Sequence, residues 1–543
     1  MLVAEAVGRL LACHGVRQVF GVVGSGNFHL TNALLAAGAG FVAAAHEAGA
    51  ATMADAYARI TGQPTVLSVH QGPGVTNALT GLTEAAKSRT PVLVLAPEAN
   101  SHRSNFYLDL PALAAAVGAG FQRIRAEHVY DDLAAGLSMP GTVVLGLPLA
   151  DQAAPAPPLP DPLPVAATPP AEPAAADVRA LADRLRAARR PVFIAGRGAA
   201  VQPDAAARAA LTTLADRCGA LLAVSAAAKG LFAGDPWELD VAGGFATPLA
   251  VELIGGADLV VAWGSTLNMW TTRHQRLIPA SAAVVQVDRD PAAIGRNRPV
   301  DLGVVGDLTA VATAVTAELG DWRAGGWRTP ELAGRLAAGR RWRDVPYQDE
   351  STDRRIDPRT LTIGLDDLLP AARTVAVDSG NFMGYPSMYL SVPDAAGFSF
   401  TQAFQSIGLG LASAIGAAVA RPDRLTVAAL GDGGLRMSVA ELDTAVRLGR
   451  PLLIVVYNDA AYGAEVHHFG PDHHPLETVR FPDTDFAAIA CGFGCAGLTV
   501  RTAADLAGVA EWLADPGDRP LLVDAKITSN AGAWWLEEAF RGH

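Results

Sequence analysis

Cysteine is scarce: the 543 residues contain four, at Cys13, Cys218, Cys491 and Cys495. So few and so scattered, they exclude a disulfide framework and suit a reducing cytoplasm. Cys491 and Cys495 have no second cysteine pair and no histidine cluster nearby, so both are expected as buried core thiols. Charge is also thin, at 18% of residues, with a net charge of −12 and no long basic run. Nucleic acid and anionic membranes are therefore not expected as partners. The N-terminus, MLVAEAVGRLLACHGVRQVF, lacks the basic region and apolar core of a secretion signal; its charges fall at amphipathic helical spacing. One span, Ala395 to Ala420, has no charged side chain. Its Gly, Ser and Thr content, with Gln402, Gln405 and Ser406, predicts a buried segment near a site rather than a lipid-facing helix.

What is present is apolar. Half of the residues are hydrophobic, which fits a well-buried globular chain, and the length predicts three domains. Residues 151–176 are too rich in Pro and Ala for a helix or central strand to run through them and read as a linker. A second seam, 321–359, mixes breakers with dense charge. The blocks 1–150, 177–320 and 360–543 each alternate short apolar runs with helical stretches: TVLSVH, a helix, PVLVLAPE in the first; LTVAALGDGG, SVAELDTAVRLG, PLLIVVYND in the last. Continuous Val/Ile/Leu runs separated by helices predict an α/β chain of three doubly wound parallel-sheet domains. SGNF occurs twice, at Ser25–Phe28 and Ser379–Phe382, each time just after an apolar strand. Such placement suits two related domains.

The last block carries the most chemistry. In parallel α/β sheets ligands sit beyond the carboxyl ends of the strands. Gly431, Asp432, Gly433 and Gly434 lie at the end of LTVAAL, where small residues let a phosphate approach backbone N–H groups. Ser438 and Glu441 have capping-box spacing and predict the start of the next helix there. The strand PLLIVVY then returns to the same edge and ends at Asn458-Asp459, so Asp432 and Asp459 can face one another. Two hard oxygen ligands beside a phosphate cradle describe a Mg²⁺ site, with a backbone carbonyl near Ala461 as a third ligand.

GDG, a capped helix, an apolar strand and an Asn-Asp pair resemble the signature of the thiamine diphosphate enzymes of the acetolactate synthase, benzoylformate decarboxylase and pyruvate decarboxylase type. The resemblance spans the chain, since that family has a pyrimidine-binding, a middle and a diphosphate-binding domain in this order. It implies thiamine diphosphate and Mg²⁺ as cofactors, with Asp432, Asp459 and the Ala461 carbonyl on the metal. The family's glutamate, which hydrogen-bonds the aminopyrimidine ring, maps onto Glu47 of HEAGA. HQGPGVTN resembles its GPG-x-TN segment, placing Gly72, Pro73, Gly74 and Asn77 at the cofactor. Ile407, in QSIG, matches the apolar wedge under the cofactor. Gly380 and Asn381 are expected on the diphosphate side, and Gly434 stands where many relatives have serine. In the family Glu47 of one subunit serves a cofactor held by another, which implies a homodimer or homotetramer.

Substrate chemistry is read from departures. Glu465 falls at the position of a pyruvate decarboxylase active-site glutamate, and at helical spacing it shares a face with His468, a pair suited to moving protons. Ser25 coincides with the benzoylformate decarboxylase serine that meets the substrate carboxylate. His70, with Gln71 beside it, lies two positions from the decarboxylases' histidine and can present its ring on the same strand face. In the middle block FIAGRGAAV and WGSTLNMW end strands but lack a full G-x-G-x-x-G and a ribose-binding acid, so FAD is not expected. The expected reaction is decarboxylation of a 2-oxo acid followed by carboligation to a carbonyl acceptor. The alternatives are a non-ligating 2-oxo-acid decarboxylase, a FAD/NAD oxidoreductase or a non-catalytic regulatory paralogue.

Overall fold

The computed structural model describes residues 1–158, 172–200, 206–325, 327–530 and 532–539. Within these, eighteen strands form three six-stranded sheets in which every pairing between named strands is parallel. The apolar runs are the cause, because residues alternate between two covered faces. In the first sheet Val19 and Val66 enter one core cluster, while their neighbours Phe20 and Leu67 enter another.

The first sheet uses strands Gln18–Gly21, Gly40–Ala43, Thr65–Ser68, Val92–Glu98, Gly120–Arg123 and Val143–Pro148. Numbered within the domain, their order is 2-1-3-4-6-5. The last sheet, built from Arg373–Val377, Phe398–Phe400, Leu425–Gly431, Leu452–Asn458, Ala496–Val500 and Leu521–Lys526, has the same 2-1-3-4-6-5 order. The SGNF repeat follows the first strand in both, so it marks equivalent places in two domains of one topology. The middle sheet differs, with order 6-5-4-1-2-3 over strands Pro191–Ala195, Leu221–Val224, Glu238–Val241, Leu259–Trp263, Ala283–Asp288 and Leu302–Val305.

The seams are partly structured. Residues 159–171 of the first expected linker lie outside the described residues; helix Leu149–Gln152 enters its start and helix Ala175–Ala187 begins before its end. In the second, helix Pro330–Gly339 forms where a linker was expected. Thr329 caps it through the Leu332 N–H, Pro330 occupies its first turn, and Leu332 and Leu336 are buried in the middle domain's core.

Two further expectations change. Cys495 is buried but Cys491 is exposed, because it falls on the outer side of helix Phe486–Phe493. The Ser438–Glu441 capping box does not form. A helix already runs over Asp432–Ser438, directly after the strand, and Ser438 donates back to the Gly434 carbonyl.

The uncharged span holds the first and last domains together. Its helix Gly410–Ala420 is buried almost throughout and packs on helix Glu47–Thr61. Among the described residues no helix is long and apolar enough to cross a membrane. The two helices approach so closely that a Cβ at Gly416 would lie 2.3 Å from the Met53 carbonyl oxygen. Overpacking of a tight contact costs about 1–3 kcal/mol. Gly416→Val is expected to lower the thermal unfolding transition by several degrees at a fixed scan rate; an unchanged transition contradicts this packing.

Candidate active site

In both like domains the strand order reverses between the first and third strands, and the crevice opens where those strands end. In the last domain the two turns there are Ser379-Gly380-Asn381 and Gly431-Asp432-Gly433. The register Gly431↔Tyr457 then brings the fourth strand's end, Asn458-Asp459, alongside. These turns line a cavity of about 280 Å³. Ile407, Gly434, Ala461 and Glu465 line it too, so ten of the residues expected at the site share one cavity.

At its base the Asp432 and Asp459 carboxyls are near neighbours, close enough for each to act on the other's charge. Burial and the neighbouring Asp459 push the Asp432 carboxyl up to about 8. Asp432 Oδ2 is buried without a hydrogen-bond partner, and so is Asn381 Oδ1. Ser529 donates to Asp459 Oδ2 at 3.2 Å, and His467 Nε2 meets the Ser529 hydroxyl at 2.9 Å. The backbone pairing around Ala461 uses the Ala460 carbonyl and the Tyr462 N–H, which leaves the Ala461 carbonyl out of it. Asn458 is committed elsewhere, donating to Asp524 and accepting from the Ala460 N–H.

The two SGNF copies diverge in use. Asn27 is fully buried and satisfied, donating to the Val22 carbonyl and Ser68 while accepting from the Gly24 N–H. Its counterpart Asn381 opens onto the cavity.

The wall above is held by a residue that the sequence reading missed. Asp378 ends the first strand fully buried, and its oxygens accept from the N–H groups of Ser379, Gly408 and Leu409. This pins the turn that follows Ile407. Burial pushes its carboxyl up to about 6 despite those donors. A Cβ at Gly434 would lie 2.3 Å from Asp378 Oδ2, so glycine there makes room for that carboxylate. A lone carboxylate closing an apolar strand was the available signal. Met269 and Trp270, from the WGSTLNMW turn, also line the cavity and bring the middle domain to the site. The glycine turns of that domain pack on one another: a Cβ at Gly196 would lie 2.3 Å from the Gly264 carbonyl oxygen. His468 does not line the cavity. Its ring meets Phe469 edge-on, with centroids 4.6 Å apart, so only Glu465 of the expected pair faces inward.

No residue of the first domain lines this cavity. Its expected site residues form a second cluster, at the equivalent switch point of the first sheet. Ser25, after the first strand, meets His70, after the third, with Oγ and Nε2 3.3 Å apart. His70 Nδ1 lies 2.8 Å from the Gln71 carbonyl oxygen, which can only accept, so Nδ1 carries a proton and Nε2 is left to exchange one. Asn77 donates to Glu47 Oε2 at 3.0 Å. Gly72 turns the chain at φ 71°, and Pro73 opens the short helix Pro73–Asn77. A Cβ at Gly74 would lie 3.3 Å from His70 Cβ and 3.4 Å from Glu47 Oε1, which places both side chains around one glycine. Gln71 is buried against Gly26.

Comparison with known proteins agrees with this architecture. Residues 1–123 match the thiamine pyrophosphate enzyme N-terminal TPP binding domain, 178–315 the central domain and 378–525 the C-terminal TPP binding domain. The chain is 31% identical over 535 residues to a probable 2-ketoarginine decarboxylase of Pseudomonas aeruginosa, covering 92% of this chain and 89% of that one. It is 29% identical over 512 residues to a sulfoacetaldehyde acetyltransferase of Alcaligenes xylosoxydans xylosoxydans, covering 86% and 82%. A thiamine diphosphate-dependent 4-hydroxybenzoylformate decarboxylase from Rhodococcus jostii RHA1 shares the fold, with a TM-score of 0.82 at 21% identity over 98% of this chain and 100% of that chain. With all three domains matched in order across most of its length, the chain belongs to the thiamine pyrophosphate enzymes and is a thiamine diphosphate-dependent lyase or transferase.

Proposed function

We propose that the protein is a thiamine diphosphate- and Mg²⁺-dependent 2-oxo-acid decarboxylase whose active site is completed between two copies of the chain. The observation that carries this reading is the separation of the site into two clusters, the cavity of the last domain and the Glu47/His70 cluster of the first. Exposed apolar side chains flank both. Phe106 stands beside His70 and Gly72, while Met437 adjoins the Gly408 turn and Phe404 precedes Gln405. A second copy that brings one cluster onto the other covers these side chains.

The residues fit both cofactors. Two neighbouring carboxylates at a buried strand end repel when ionised, and a divalent cation removes the repulsion. Among the described residues no group of three or more His, Cys, Asp or Glu could cage a metal. A Mg²⁺ here would be held by the Asp432 and Asp459 carboxylates and the Ala461 carbonyl, a hard oxygen set that suits that ion. The open Asn381 amide and the small residues Gly380, Gly431, Gly433 and Gly434 leave room for a diphosphate, and Ile407, on the same cavity wall, would support the cofactor's rings. When bound, thiamine diphosphate supplies the sink for the electron pair left as the carbon–carboxylate bond breaks.

The chain's own residues do the proton work. Glu47, oriented by Asn77, holds a proton at the aminopyrimidine ring nitrogen. Ser25 Oγ orients the substrate carboxylate, with Gln71 closing the floor beneath it. His70, with Nδ1 committed to the Gln71 carbonyl, would pass a proton through Nε2 to the substrate during turnover. Glu465 faces the cavity as a second proton carrier for product release. The alternative fate, transfer of the carbon unit to a carbonyl acceptor, is supported by the acetyltransferase name of one relative.

Three outcomes are expected. Glu47→Gln lowers CO₂ release from a panel of 2-oxo acids by at least about 100-fold, while cofactor binding, read by tryptophan fluorescence, is retained; full activity overturns the reading. His70→Ala slows CO₂-linked aldehyde formation about 100-fold and, with an added aldehyde acceptor, raises the ligated fraction seen by mass spectrometry. An unchanged product ratio would mean that His70 does not deliver the proton. Asp432→Asn raises the melting temperature of the metal-free protein and abolishes the further rise on adding Mg²⁺ with thiamine diphosphate. A retained Mg²⁺ response would remove Asp432 from the metal.

A further inference from the structure

We infer that Glu441, in the last domain, is a positioning residue for Glu47 of the same chain, holding the turn from which the catalytic helix springs. The residue is 2% exposed, and its carboxylate crosses the domain boundary. Oε1 accepts from the His46 N–H at 3.0 Å, and Oε2 accepts from the Ala45 N–H at 3.2 Å and from the Thr444 hydroxyl at 2.7 Å. At the far end of helix Glu441–Arg447, Arg447 donates to the Ala43 carbonyl at 2.8 Å. A single short helix thus grips the 43–46 backbone by a carbonyl at one end and two N–H groups at the other.

The gripped segment leads directly into the catalytic helix. Glu47 is the first residue of helix Glu47–Thr61, whose cap is the His46 ring accepting from the Ala48 N–H at 3.1 Å. Those first N–H groups have no partners within the helix. With Ala45 and His46 held, the direction of the Glu47 side chain is set before any ligand binds. The HEAGA motif records the same contact from the other side: a Cβ at Gly49 would lie 2.1 Å from Glu441 Oε1. Glycine there makes room for the carboxylate. Helix Glu441–Arg447 also follows closely on the helix that begins at Asp432. The element placing the metal ligand for one active site therefore continues into the element that fixes Glu47 for the other.

The inference rests on the proposed role of Glu47, and the experiment separates the two. Full-length wild-type, Glu441→Gln, Gly49→Ala, the double variant Gly49→Ala/Glu441→Asp and Glu47→Gln are compared in two ways. In cofactor-free protein, hydrogen exchange of peptides covering residues 43–50 is read by mass spectrometry. In protein loaded with thiamine diphosphate and Mg²⁺, exchange of the thiazolium C2 proton is read by acid quench and NMR. Glu441→Gln keeps one acceptor oxygen and turns an amide donor onto the other of the two backbone N–H groups. It is expected to speed amide exchange over 43–50 about tenfold and to slow C2 exchange about 10- to 100-fold, as a small misplacement of a catalytic group does. Cofactor affinity and the thermal transition are expected to stay close to wild type. Gly49→Ala gives the same defect, and the shorter carboxylate of the double variant restores C2 exchange by relieving the clash. Normal C2 exchange in Glu441→Gln, where Glu47→Gln abolishes it, overturns the inference. So does a parallel loss of C2 exchange, cofactor affinity and thermal stability, or failure of the double variant to improve on Gly49→Ala. C2 exchange that persists in Glu47→Gln instead overturns the proposed role of Glu47.

Discussion

Two carboxyl groups brought close together at the ends of adjacent parallel strands are the constraint on which this structure turns. Asp432 and Asp459 meet because the third and fourth strands of the last sheet run side by side in a register that releases both at the same edge. A protein interior tolerates such a pair only with a proton or a cation between them, and burial with mutual repulsion drives Asp432 far above an ordinary carboxylate. The surroundings are arranged around that need. Ser529 holds Asp459, and Asp378 fixes the turn leading out of the Ile407 wall through a fan of backbone N–H groups. The site is thus pre-formed by hydrogen bonds that involve no ligand.

The second organising feature is repetition with divergence. The first and last domains share one strand order, and each places its chemistry at the reversal between its first and third strands. In one copy the crevice became a pair of carboxylates with an open asparagine. In the other it became Ser25 and His70, and the equivalent asparagine went inward to brace the turn. A small-residue helix contact at Gly416 and a carboxylate grip at Glu441 join the two copies within a chain. Their active faces remain apart in that chain, which is why the proposed site requires another.

Much of this was legible in the sequence because parallel sheets write themselves as uninterrupted apolar runs with chemistry at the strand ends. The GDG to Asn-Asp spacing, the three blocks, the repeated SGNF and the burial of helix Gly410–Ala420 within the uncharged span all follow from that rule, whereas residues 403–405 of that span are exposed. Long-range partners were not legible. Ser438 and Glu441 look like a local capping box, yet the helix had already begun at Asp432, so Glu441 was free to bind a turn nearly 400 residues away. Helix Pro330–Gly339 hid among breakers because its Thr-Pro-Glu start reads equally as loop. Glu465 and His468 have the right spacing, but the helix directs only the first at the cavity. Asp378 and Trp270 were missed because burial and domain contacts, rather than motifs, give them their roles.

The central claim, that one site is built from two chains, is tested most directly by complementation. Glu47→Gln and Asp432→Asn proteins, each inactive alone, are unfolded, mixed in equal amounts and refolded together, and CO₂ release is measured. Random reassortment makes half of the dimers mixed, and each mixed dimer carries one site with both residues intact, so about a quarter of wild-type activity is predicted. Activity no greater than that of the separately refolded variants, with mixed dimers verified by mass spectrometry, would contradict the account by placing both residues of a site on the same chain.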